Sequence, residues 1–178
     1  GIYAVDSDVS ISNTKVNGNQ AIGDATSGAF GGGIYLKSKN QGLYPTISIT
    51  DSDIRGNTSS NAAALLSLSV DVRLERVIIS GNHNGSGANA PLYFKSSPMS
   101  IINCTITGNS FGVLDDGQGG IFFESNVLPI NIVNSIIWGN QTEINSTSPF
   151  GFAYTNHINF ISSIIQGGIP GSVTDLHI

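Results

Sequence analysis

The acids and bases of this chain are few, and only some are spaced for chemistry. The closest pair of carboxylates is Asp115 and Asp116, in FGVLDDGQGG. Glycosidic hydrolysis needs two such groups facing each other across a groove, one as acid and the other as base or nucleophile. The surrounding glycines also mark a turn, where Asp commonly bonds the local backbone instead. Asp53 and Arg55 stand at alternate positions, so in a strand both would project from one face. They could serve a cleft or form a solvated ion pair of little energetic weight. His83, His157 and His177 lie far apart and show no metal-ligand spacing. No phosphate loop or GGxGxD calcium repeat occurs. Asn-x-Ser/Thr sequons include those starting at Asn57, Asn103, Asn140 and Asn145, and the abundance of Asn and Ser accounts for them.

What would position these residues is a repeat. VSISNTKVNGN ends at Gly18 and Asn19, and the same pattern closes at Gly56, Gly81, Gly108, Gly139 and Gly167. Nine residues before each glycine stand Val9, Ile47, Val72, Met99, Ile130 and Ile158. Seven before stand Ile11, Ile49, Leu74, Ile101, Ile132 and Phe160. Two before stand Val16, Ile54, Ile79, Ile106, Ile137 and Ile165, and four before is a small residue throughout: Thr14, Ser52, Val77, Cys104, Ser135 and Ser163. The apolar period is two, a strand signal. Between the markers a second strand block recurs as GGGIYL, ALLSLSV, PLYFKS, GGIFFES and FGFAYT. The marker glycines are 25 to 38 residues apart, so the variable lengths belong to loops around a fixed core, as in a stacked repeat.

Composition agrees. Of 178 residues 39% are hydrophobic and only 11% charged, with 22 glycines, a mixture suited to short strands and tight turns. The net charge of -5 and the seven basic residues, scattered along the sequence, exclude a tracker of nucleic-acid phosphates. No apolar run is long enough for a transmembrane helix. The single Cys104 shares a column with small residues, which fits a buried core position and not a reactive thiol.

The expected fold is therefore all-β: a single parallel β-helix over residues 1–178, of about six coils with three short strands each. Equivalent residues would stack rung over rung about 4.8 Å apart. Asn19, Asn57, Asn82, Asn109 and Asn140 would form an amide ladder at a turn, each preceded by a glycine at positive φ.

The alternation of GGGIYL or GGIFFES with ISNTKVNGN, INCTITGN and VNSIIWGN resembles the right-handed parallel β-helix repeats of bacterial surface proteins, within the pectin-lyase-like superfamily and most narrowly the chlamydial polymorphic outer-membrane proteins. The resemblance covers nearly the whole chain. It implies the right hand of the coil, but this fold serves lyases, hydrolases, adhesins and stalks alike. A lyase of that superfamily would need an Arg or Lys base, often beside a Ca²⁺ cluster of acids; the Lys15, Asp53 and Arg55 group is the nearest approach. The opening GIYAVD is similar to GGGIYLKS at 31–38, so the chain is expected to be a piece of a longer protein, with coils before Gly1.

Two columns that should face outward change character along the chain. Lys15, Asp53, Ile78, Thr105, Ile136 and Ile164, and Ser12, Thr50, Glu75, Ile102, Val133 and Ile161, are polar in the first coils and largely apolar in the last, with Trp138 adjoining. An apolar face is usually covered, by the loop 141–155, a neighbouring domain, or a glycan on Trp138. A Thr-x-Thr array for ice binding is confined to Thr105–Ile106–Thr107. The functional expectation is a non-catalytic module of a secreted or bacterial cell-surface protein, a rigid spacer and adhesin. Its partners would be neighbouring domains or coils and glycans, met through Trp138, Asp115, Asp116, Asp53 and Arg55. The alternative is a fragment of a polysaccharide lyase or glycoside hydrolase.

Overall fold

The computed structural model describes residues 1–23, 29–40, 42–85, 90–112, 120–124, 129–142, 150–153 and 158–166, with backbone alone at 111, 141–142 and 150–153. The fold is a parallel β-solenoid without helix among these residues. A first sheet stacks Ile2–Val5, Ile34–Lys37, Leu65–Leu68, Leu92–Lys95, Ile121–Glu124 and Phe150–Ala153. A second stacks Val9–Ser12, Thr46–Thr50, Asp71–Glu75, Met99–Ile102, Ile130–Val133 and Ile158–Ile161. A third stacks Lys15–Asn17, Asp53–Arg55, Ile78–Ser80, Thr105–Thr107, Ile136–Trp138 and Ile164–Ile165. A fourth, of two-residue strands, holds Thr58–Ser59, His83–Asn84, Ser110–Phe111 and Gln141–Thr142.

The columns read from the sequence are the registers of these sheets. Val16 pairs with Ile54, Ile54 with Ile79, Ile79 with Ile106, Ile106 with Ile137, and Ile137 with Ile165. The Val9-to-Ile158 and Ile11-to-Phe160 columns pair likewise. Alternation turns these side chains inward, and together with Leu36, Leu65, Phe94 and Phe123 they form one buried core running along the axis. Phe94 and Phe123 stack with ring centroids 5.6 Å apart. Each such side chain stabilises the fold by about 1.5–3 kcal/mol relative to exposure.

The expectation of three strands per coil needs correction. The described residues make about four full turns, not six, and each of these carries a short fourth strand just after the marker. The sequence gives little sign of it, because a two-residue strand has no period. A second departure concerns the first sheet. Its outward column of Tyr3, Tyr35, Leu66, Tyr93 and Phe122 starts at the exposed Tyr3 but is covered further along: Leu66, Tyr93 and Phe122 are buried with Ala62 and Ala90 in a satellite cluster. A covered apolar face thus lies here.

Turns supply the corners. Between the second and third sheets every coil places one residue in the left-handed region: Asn13, Asp51, Arg76, Asn103, Asn134 and Ser162, with φ from 46° to 54°. Asn and Asp enter that region most readily among residues with a Cβ. The marker glycines 18, 56, 81, 108 and 139 turn the next corner at φ 59° to 68°, as expected.

Candidate functional surface

Inside the marker corner the asparagine ladder is formed as the columns predict. Asn57 Oδ1 accepts from Asn19 N and Nδ2, both at 2.9 Å. Asn82 Oδ1 accepts from Asn57 N and Nδ2 at 3.0 and 2.8 Å. Asn109 and Asn140 repeat this for the coils before them. The other Nδ2 hydrogen reaches back to a main-chain carbonyl: Val16 O from Asn57, Ile54 O from Asn82, Ile79 O from Asn109, Ile106 O from Asn140. Asn57 and Asn140, two of the sequon residues, are therefore buried and hydrogen-bonded within the ladder. Asn103 is exposed, and Asn145 lies outside the described residues.

The column of small residues forms a second, hydroxyl ladder that column-matching alone did not reveal. Ser52 Oγ donates to Thr50 O and accepts from Thr14 N; Ser135 Oγ donates to Val133 O and accepts from Cys104 N. Cys104 holds the same place, its thiol 3.2 Å from Ile102 O. Burial pushes this thiol up from its ordinary pKa, so it stays protonated and unreactive at neutral pH.

Outward, the third sheet carries the residues singled out for function. Ile137 faces the core, so its neighbours Ile136 and Trp138 face solvent, and Trp138 is 52% exposed. Trp138 stands in register with Thr107, Ser80 and Arg55. The parallel column holds Lys15, Asp53, Ile78, Thr105, Ile136 and Ile164. Ile78, Ile136, Ile161 and Ile164 are exposed, so this apolar strip is open. Lys15 and Asp53 do adjoin on successive rungs, as expected, and Asp53 pairs with Arg55 at 3.1 Å on a largely exposed face. Three rungs, about 14 Å, separate Arg55 from Trp138. One extended ligand could touch both; one small substrate could not. Asp115, Asp116, His157, His177 and most of 141–155 lie outside the described residues.

Two charged groups escaped the sequence reading. At the corner Arg76 grips Asp51 (Nε–Oδ1 2.6 Å, Nη2–Oδ2 2.9 Å) and also bonds Glu75, which receives Arg73 at 2.7 Å. The Arg76 hydrogen bonds hold the Asp51 carboxyl below its usual range, and Arg73, then Arg76, do the same for Glu75. The second group corrects the view of the basic residues as scattered. Lys37, Lys39 and Lys95 line one cleft of about 390 Å³ where the first sheet ends. Only the register, which brings Lys37 and Lys95 into one outward column two rungs apart, makes that visible. Among the described residues no three His, Cys, Asp or Glu stand together as a metal group, and no helix is long and apolar enough to cross a membrane.

Asp6 and Asp8 have structural work. Asp6 Oδ1 accepts Lys39 N at 2.7 Å and Asp8 Oδ1 accepts Thr46 N at 2.7 Å, satisfying backbone where the next coil turns. His83 Nδ1 lies 3.0 Å from Ser110 Oγ, one rung on in the fourth sheet.

Comparison with protein-family models, with curated proteins and with solved structures finds no match to this chain. The class that the fold defines is the parallel β-solenoid.

Proposed function

We propose that the chain is a non-catalytic β-solenoid module of a secreted or bacterial cell-surface protein. It acts as a rigid spacer, joined to neighbouring domains or coils, and as an adhesive face that contacts glycans. The observation that carries the reading is Trp138: a half-exposed indole on a regular outward sheet, in line with the polar side chains of Thr107, Ser80 and Arg55. An indole face offers an apolar platform for the C–H surface of a sugar ring, and the polar column below it offers hydroxyl and guanidinium donors along the same line. Of the charged residues described on this face, Asp53 is engaged by Arg55 with Lys15 one rung before it, an arrangement without the two facing carboxylates that hydrolysis requires.

A glycan array, with a reducing-sugar assay run alongside, tests the proposal. Binding to one class of neutral or weakly charged glycan is expected, with loss of about tenfold or more in W138A and no sugar released. Release of reducing sugar from any polysaccharide would favour the fragment of a lyase or hydrolase; an empty array would remove the adhesive role.

A further inference from the structure

A different face of the molecule carries a site of its own. Lys37, Lys39 and Lys95 line a single cleft together with Leu68 and Ser38, Ser69 and Ser96. These are three of the chain's four lysines, gathered in a protein whose net charge is -5. Lys95 is held 2.6 Å from Glu124. Among the described residues neither Lys37 nor Lys39 has a carboxylate within ion-pair distance. Asp6 borders the cleft but is turned to other partners: its Oδ1 accepts the Lys39 main-chain N–H at 2.7 Å and the Ser38 hydroxyl at 3.3 Å. Two ammonium groups without an ion-pair partner in one concavity repel each other, and an anion between them relieves that repulsion.

We propose that this cleft binds the sulfate esters of an extended polysaccharide. The chemistry of the donors selects the anion. An arginine fork matches the planar carboxylate bidentately, whereas ammonium groups are point charges with rotatable donors. Three lysines with serine hydroxyls beside them suit a tetrahedral oxyanion approached from several sides. Direction comes from the register: Lys37 and Lys95 repeat along the solenoid axis, about 9.6 Å apart in backbone terms, so the charges form a track and not a point. The site does not depend on Trp138, which projects from the third sheet.

Binding of the purified chain to immobilised dextran sulfate tests this, with dextran and polygalacturonate as neutral and carboxylate controls. Dextran sulfate should bind, weaken steeply with added salt, and outcompete polygalacturonate, while dextran should not bind. K37Q/K39Q should lose about tenfold or more in affinity, and E124Q, which frees Lys95 from its partner, should gain severalfold. Circular dichroism confirms that each variant keeps its strands, and W138A should bind dextran sulfate like the parent chain. Unchanged binding by K37Q/K39Q, a preference for polygalacturonate, no retention on dextran sulfate, or loss in W138A would each overturn the proposal.

Discussion

Asn82 shows how much a single amide does here. It is fully buried; its Oδ1 accepts two hydrogen bonds from Asn57, and its Nδ2 serves Asn109 Oδ1 and Ile54 O. Asn82→Ala strands several of those groups at once. At about 1–3 kcal/mol per buried unsatisfied group, the loss should reach about 3 kcal/mol or more. Asn19 ends the ladder, only half-buried, where water replaces what is removed, so Asn19→Ala should cost under about 1 kcal/mol. Urea denaturation of both variants checks this, and equal losses would refute the ladder's role. The Arg76 corner yields a pH dependence. Asp51 and Glu75 have folded pKa values below their unfolded ones, so their contribution is present at neutral pH and fades as pH falls through the lowered values. The melting temperature should drop on acidification below the ordinary carboxylate range. Arg76→Ala should flatten that drop, which a series of melts at stepped pH would show.

Elements here are ruled by alternation. Ile79 faces the core with no exposure, while Ile78, one residue earlier, is 37% exposed. Ile79→Ala should destabilise by about 2–5 kcal/mol, and Ile78→Ala by no more than about 0.5 kcal/mol; denaturant midpoints separate the two. That contrast also explains what could be read beforehand. Strands of three to five residues with a marked inward face, a glycine at positive φ and an asparagine beside it were legible because each has a residue-type signature repeated in every coil. The fourth sheet was not, since two residues show no period and its members, from Thr58–Ser59 to Gln141–Thr142, share no side-chain type. The left-handed corner filled by Asn13, Asp51, Arg76, Asn103, Asn134 and Ser162 was half legible: Asn and Asp announce it, and Arg76 hides it. For the candidate surface, sequence placed Trp138, Asp53 and Arg55 correctly on an outward face, but the lysine cleft depends on loop lengths between Lys39 and Lys95, which no local pattern encodes.

At the scale of the whole molecule, each coil touches mainly the coil before and the coil after, so stability is close to a sum of coil and interface terms. Among the described residues interior rungs pair on both sides, whereas Ile2–Val5 pairs with Ile34–Lys37 alone. Amides of Ile78–Ser80 and Thr105–Thr107 should therefore exchange with deuterium more slowly than those of Ile2–Val5, by about tenfold or more. Uniform exchange along the axis would show a single cooperative block instead.

The carboxamides of Asn57, Asn82, Asn109 and Asn140 face the same way: each oxygen looks toward the amino-terminal end and receives from the preceding turn. Four aligned dipoles give the column a head and a tail, and neighbouring bonds polarise one another in the same sense. A spliced-in segment spanning one full turn, such as 57–81, would present an acceptor to the rung before it and donors to the rung after it. Molecules of this architecture can thus grow or shrink by whole turns in the gene without any new solution at the joint, whereas a turn inserted backwards would set oxygen against oxygen.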